Sequence, residues 1–276
     1  MPDAELLKAL DAARAAAEAA GRIALEKFRH RPQWRRKADG SPVSEVDMAV
    51  NALLREKLRD LEPDAGWLSE ETADKESWRA CRRAWVVDPL DGTRGFLQGD
   101  KHFSIVIALL EKCRPVLGII HAPALQRTWA AAKGHGAWLN GASIHVSERS
   151  ELAGARLVAP GHVREAGRWR APWPEVEVLR YPSLALRMAY VASAEADAMF
   201  SLGGKNTWDV AAGDVIVREA GGIVSAADGA PLDYAAPDLR VPGIVASAPG
   251  LYDEIIRRLK GFGGCGHRRA KKGKGS

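Results

Sequence analysis

Trp85-Val86-Val87-Asp88-Pro89-Leu90-Asp91-Gly92-Thr93-Arg94-Gly95-Phe96 is the stretch on which the reading of this 276-residue chain turns. Ala84 to Val87 is a short apolar run of the kind that forms a buried strand. Pro89 lacks an amide donor and has a fixed φ, so the strand is expected to stop at Asp88-Pro89 rather than continue as a central one. Asp91-Gly92-Thr93 then turns the chain. Two carboxylates three residues apart therefore share one tight loop at a strand end. Held in a cleft, like charges raise each other's pKa unless a cation stands between them. Carboxylates with backbone carbonyls suit hard cations such as Mg²⁺. The amides of Gly92 and Thr93 would face an anion at the start of a helical turn. Asp-Gly is also a common surface turn, but the whole string, with Pro89, Thr93 and Phe96 in place, favours a metal site beside a phosphate site.

Asp88-Pro89-Leu90-Asp91-Gly92-Thr93-x-x-Phe96 resembles the metal-binding signature of the inositol monophosphatase superfamily, a group of Mg²⁺-dependent, lithium-sensitive phosphomonoesterases. Thr207-Trp208-Asp209-Val210-Ala211-Ala212-Gly213 is similar to that group's second signature, Trp-Asp-x-Ala-Ala-Gly. Ser69-Glu70-Glu71 stands where Gly-Glu-Glu is usual, a departure that alters backbone freedom more than ligand chemistry. Lys133 to Gly141 resembles the group's Gly-x-Gly-Ala-x-x-Asn-Gly hairpin. The likeness covers residues 35 to 260. It implies an α+β, α/β fold: a five-layered αβαβα sandwich, assembled as a dimer. By position, Glu70, Asp88, the Leu90 carbonyl, Asp91 and Asp209 would hold two or three Mg²⁺ ions. Phosphate would rest on Gly92 and Thr93. Asp47 and Thr93 would orient the attacking water and take its proton, with Glu71 in support, and no residue would be phosphorylated.

The residues themselves leave some of these roles open. Ser44-Glu45-Val46-Asp47 opens an amphipathic helix, and Ser44 with Asp47 fits a capping box. Asp209 in a first helical turn would favour the helix dipole. Glu70-Glu71 suits a solvated face, or an acid pair carried by a strand end next to the central one. Ser183, Arg187, Lys205 and Asn206 lie where the superfamily places substrate-selecting segments. Ser183 to Arg187 and Trp67 to Thr72 resemble the bacterial 3′(2′),5′-bisphosphate nucleotidase branch. The leading substrates are 3′-phosphoadenosine 5′-phosphate and inositol monophosphate; histidinol phosphate and sugar phosphates stay open.

The rest of the chain sets bounds. With 46% hydrophobic residues it has enough for a large core. It contains no apolar run of membrane-spanning length, and Met1 to Glu5 does not resemble a secretory signal. Cys81, Cys113 and Cys265 are too scattered for a disulfide framework or a zinc site, which points to a cytoplasmic setting. The net charge of +5 is matched by Arg268, Arg269, Lys271, Lys272 and Lys274 alone, so the body is close to neutral. Three parts are expected: an α+β half at 1–147 with the metal-site loop, an α/β half at 148–262, and a basic, disordered tail at 263–276. A reading from another class is a non-catalytic protein whose tail touches RNA.

Periodicity predicts helices over 4–28, 44–60, 183–194, from 207 to the glycine pair Gly221-Gly222, and over 249–259. It predicts strands at 66–68, 103–110, 115–121, 128–133, 157–159, 198–200, 223–224 and 244–246. Residues 35–42 read as a polar loop and 161–180 as irregular. His121 and His135 read as structural. Gly213 would permit tight helix packing.

Overall fold

The computed structural model describes residues 3–72, 74, 76–164, 169, 171–236 and 238–260. The basic tail expected at 263–276 lies outside the described residues. The apolar runs of the first half form a seven-stranded sheet. Strand Arg83–Asp91 pairs in parallel with Gly66–Ser69 on one side. On the other side Ser104–Glu111, Arg114–Ala122, Arg127–Ala132, Gly136–Leu139 and Ala142–Ser143 follow as the expected antiparallel meander.

These strands are apolar throughout because both faces of the sheet are covered, and the period-two pleat divides their side chains between two cores. Trp85, Val87, Ile105, Ile107, Leu109 and Ile119 face helices α1 (Asp3–Lys27) and α2 (Glu45–Leu61). The stripe Leu6, Leu10, Ala13, Ala17 and Ala24 lies buried along that side of α1. The short helix α3 (Thr93–Leu97) adds Phe96. The opposite face, with Val86, Val106, Ala108 and Ile120, packs on α4 (Leu184–Ala192) and α5 (Thr207–Glu219).

A second sheet of five strands closes over those helices, in the order Glu177–Leu179, Arg156–Val158, Ala198–Ser201, Ile244–Ser247, Ile223–Ser225. Val158, Met199, Val224 and Ala246 share the core of α4 and α5. Leu157, Phe200 and Val245 face away, with Leu251, Ile255 and Leu259 of α6 (Pro249–Leu259). The layers therefore run α, β, α, β, α. Helix α5 ends in a Schellman motif: the Gly222 amide bonds the Val217 carbonyl (2.8 Å), the Gly221 amide bonds that of Arg218 (2.9 Å), and Gly221 takes φ 87°.

Three expectations are corrected. Strand 83–91 does not end at Pro89 but continues through it to Asp91 in the interior of the sheet. The register shifts between Asp88 and Asp91, and this bulge accommodates a residue that has no amide to give. Residues 35–42 are not an open loop, since Trp34–Arg36 and Pro42–Ser44 pair as a hairpin with Lys37 to Ser41 at its tip. Within 161–180, Gly161–Arg164 is a 3₁₀ turn, and Glu177–Leu179 is an edge strand paired in parallel with Arg156–Val158. A strand of three residues is too short to show a period. Among the described residues no helix is long and apolar enough to cross a membrane, and Cys81 and Cys113 are free thiols.

Helix α5 sits close both to the first sheet and to α4. A Cβ at Gly118 would lie 2.4 Å from the Ala212 carbonyl oxygen, and one at Gly213 would lie 2.6 Å from Met188 Sδ. At Gly213 the obstacle is the Met188 side chain, its Cβ included; at Gly118 it is the α5 backbone. Gly118→Ala is therefore expected to cost about 1–3 kcal/mol through overpacking, read as a lower urea midpoint at unchanged m-value. A parental midpoint would refute this account of the contact.

Candidate active site

Three features bring the acids together. First, parallel pairing of 66–69 with 83–91 sets Ser69 opposite Val87, and the Glu70 amide bonds the Val87 carbonyl at 3.2 Å. Glu70 and Glu71 thus leave their strand beside Asp88. Second, Gly92 takes φ 91°, a left-handed turn suited to glycine, and caps α3. Asp91 and Thr93 stand on either side of that turn. Third, Asp209 in the first turn of α5 comes in from the second half of the chain.

Each of these acids has a definite environment. Asp88 is buried, and its Oδ1 accepts the Leu90 amide at 3.0 Å. Asp91 Oδ2 accepts the Ser183 hydroxyl at 2.6 Å and the Ala185 amide at 2.7 Å. Asp209 Oδ2 accepts the Asn206 amide at 2.9 Å. Burial raises the pKa of all three. For Asp88 the charges of Glu70, Asp91 and Asp209 add to it, and for Asp209 those of Asp91 and Glu70 add, pushing it up to about 7. Such mutual shifts mean that side chains far apart in sequence share one space. That space is rich in oxygen donors, with Lys37, Arg187 and Lys205 as the cations near enough to act on them.

One cation already sits at its edge. Lys37, at the hairpin tip, places Nζ 2.6 Å from both Glu70 Oε1 and Glu71 Oε1. Burial disfavours its charge, yet Glu70 and Glu71 raise its pKa overall. Glu71 is shifted up by burial against the pull of Lys37. Glu70, Asp88, Asp91, Asp209 and the Leu90 carbonyl supply oxygen donors of the kind hard cations take.

Asp47 both caps α2 and pairs with Thr93. Its Oδ2 accepts the Ser44 amide at 2.7 Å, completing the capping box, while its Oδ1 accepts the Thr93 hydroxyl at 3.0 Å. Thr93 Oγ1 also lies 2.8 Å from the Leu90 carbonyl. Burial raises the pKa of Asp47 despite these hydrogen bonds. Asp209 likewise combines an α5 cap with its place in the acid cluster.

The substrate candidates divide. Ser183 Oγ is committed to Asp91, lies 3.1 Å from Ser104 Oγ and caps α4 through the Leu186 amide (3.0 Å). It positions a carboxylate. Arg187 is anchored by Nε to the Tyr181 carbonyl at 2.7 Å, close enough to Asp91 to feel its charge. Lys205 and Asn206 form a short strand leading into α5. Sequence reasoning missed Lys37, whose only signal was a basic stretch ahead of Ser44, and Ser104, which carries no motif. It also missed what Ser69 does in place of glycine: its hydroxyl accepts the Glu71 amide (3.2 Å) and donates to Asn51 Oδ1 (2.6 Å), fixing the turn.

The sequence pattern of the inositol monophosphatase family matches residues 5–261. A relative described as Nus factor SuhB, from Haemophilus influenzae, is 32% identical over 255 residues, spanning 89% of this chain and 93% of the relative. A 3′(2′),5′-bisphosphate nucleotidase CysQ of Aggregatibacter actinomycetemcomitans is 34% identical, over 72% of this chain and 77% of the relative. A histidinol-phosphatase of Mycobacterium tuberculosis is also 34% identical, over 81% and 86%. The crystal structure of the extragenic suppressor protein suhB from Bartonella henselae superposes with TM-score 0.80 at 27% identity, covering 91% of this chain and 98% of that one. Two signature strings, the layer order and a match across nearly the whole chain agree: this protein belongs to the inositol monophosphatase family and is a phosphoric monoester hydrolase.

Proposed function

We propose that the protein hydrolyses a small phosphate ester with Mg²⁺ held by Glu70, Asp88, the Leu90 carbonyl, Asp91 and Asp209. The observation that carries this is the convergence of Asp88, Asp91 and Asp209: burial raises the pKa of all three, the charges of Asp91 and Asp209 add to the rise of Asp88, and that of Asp91 adds to the rise of Asp209. Bound there, divalent cations supply charge neutralisation and Lewis acidity for in-line attack on phosphorus.

The chain's own residues do the rest. Ser183 and the Ala185 amide fix Asp91, and the Asn206 amide fixes Asp209, so the donor set is preorganised. Thr93 Oγ1 positions the attacking water, whose proton passes through this hydroxyl towards Asp47 Oδ1. Burial makes Asp47 a stronger base than an ordinary carboxylate, which suits it to hold that proton. The amides of Gly92 and Thr93 receive the phosphate, with Glu71 supporting the water. Lys205 and Asn206 meet the leaving group, and Arg187 backs them. Lithium inhibition, a dimeric assembly and a cytoplasmic setting belong to the same reading.

The test is phosphate release from 3′-phosphoadenosine 5′-phosphate, inositol 1-phosphate, fructose 1,6-bisphosphate and histidinol phosphate, with Mg²⁺ and with a chelator. Release from at least one ester, abolished by the chelator and restored by Mg²⁺, is the expected result. Release unaffected by chelation would refute the metal assignment, and no release from any ester would refute the reading.

A further inference from the structure

Asp47 and Asn51 lie one helical turn apart on the same face of α2. Asp47 reaches the central loop, where its Oδ1 accepts the Thr93 hydroxyl at 3.0 Å. Asn51 reaches the neighbouring strand end, where its Oδ1 accepts the Ser69 hydroxyl at 2.6 Å. One turn of one helix therefore touches both loops that carry acids. The two loops leave parallel strands, and Ser69 lies opposite Val87, the residue before Asp88.

Ser69 is fully buried. A serine hydroxyl has one proton to give and two lone pairs to offer. Asn51 takes the proton, which sets the rotation of the hydroxyl and leaves a lone pair for the Glu71 amide at 3.2 Å. The Ser69 carbonyl accepts the Thr72 amide, also at 3.2 Å. Side chain and backbone of one residue thus close the turn that carries Glu70 and Glu71. That turn is held against repulsion. Burial first, and then the charge of Glu70 among others, raises the pKa of Asp47, Glu71, Asp88 and Asp209. A glycine at position 69 would offer neither bond of that hydroxyl.

We propose that Asn51 is a positioning residue: through the Ser69 hydroxyl it holds the Glu70–Glu71 turn in register with Asp88 and Asp91, so that Glu70 is set for the divalent cation before the cation arrives. This rests on the Mg²⁺ reading above and adds to it a residue that acts on the cation only through Ser69. With the link removed, the cation itself must order the turn, and its binding is weakened by that cost. Partners that orient a metal ligand in this way carry about ten- to a hundredfold in metal affinity.

The experiment titrates Mg²⁺ calorimetrically into the metal-free full chain, for the parent, Asn51→Leu, Ser69→Ala and the double variant. Asn51→Leu keeps a side chain of similar size on a good helix former but accepts no hydrogen bond. Each single variant is expected to bind Mg²⁺ about tenfold more weakly. The double variant should lose no more than either, because both changes break one link. Turnover of whichever ester of the panel is hydrolysed should fall at limiting Mg²⁺ and recover in kcat at saturating Mg²⁺. Parental Mg²⁺ affinity in Asn51→Leu overturns the proposal even if the urea midpoint falls, since a merely structural asparagine would lower the midpoint alone. Losses that add in the double variant also overturn it, because Asn51 would then act by a route other than Ser69. Should Asn51→Leu not fold, Asn51→Ala, which also lacks the acceptor, takes its place in the cycle. A parent that binds no Mg²⁺ removes the metal reading and this inference with it. A parent that binds Mg²⁺ with the expected pattern but releases no phosphate keeps the role of Asn51 and removes the phosphatase reading alone.

Discussion

Asp91→Asn is expected to lower turnover by on the order of 10³-fold, the scale of losing one preorganised electrostatic group at a reacting centre, while leaving the fold intact. The fold should survive because the hydrogen bonds that seat this side chain do not need its charge. Ser183 and the Ala185 amide both donate to Asp91 Oδ2, and an asparagine oxygen accepts them equally well. What is lost is negative charge where divalent cations would bind. The metal-free variant should also be more stable than the parent, since Asp91 is buried and its charge raises the pKa of both Asp88 and Asp209. A rise in the thermal midpoint of the chelated protein, with activity gone, would show that the cluster is built for cations and not for the fold. Parental turnover at saturating Mg²⁺ would refute the site.

The metal-free protein is expected to lose stability as pH rises, and to regain it on adding Mg²⁺. Asp209 is shifted up from 3.8 to about 7. A carboxyl whose folded pKa is raised holds its proton in the native state where the unfolded chain has released it. Its contribution is therefore fully present below pH 3.8 and is lost as pH climbs through about 7. Asp88 and Asp91 shift in the same direction. For Asp209 alone the effect is at most about 4 kcal/mol, taking 1.36 kcal/mol per pKa unit, and less because the residue keeps some opening to solvent. Cations compete with these protons, so the Mg²⁺-induced rise in thermal midpoint should be larger at pH 8 than at pH 5.5. A metal-free midpoint independent of pH over that range would contradict the cluster as described. An Asp209→Asn variant should flatten the dependence.

Much of the arrangement was legible in the chain itself. The strands 84–87 and 103–110 announced themselves because burial on both faces makes a strand apolar throughout. The helices beginning near Ser44 and Thr207 were readable because their caps are local hydrogen bonds between residues three apart. The acids were legible as residue types in strings: Asp88 and Asp91 in one, Asp209 in another, Glu70 and Glu71 at a strand end. Local chemistry also misled, since the proline rule ended strand 83–91 too early and the bulge that rescues it depends on the partner strand Ser104–Glu111.

The chain by itself determined which segments are buried, where the helices begin and which carboxylates are available, because these follow from near neighbours and from hydrophobic period. Only the tertiary structure decided that Asp209 meets Asp88 and Asp91, that Lys37 bridges Glu70 and Glu71, and that Ser183 holds Asp91. Those meetings cross from one half of the sequence to the other or join a hairpin tip to a distant strand end. Their cause is the stacking of two sheets about α4 and α5, which no local pattern encodes.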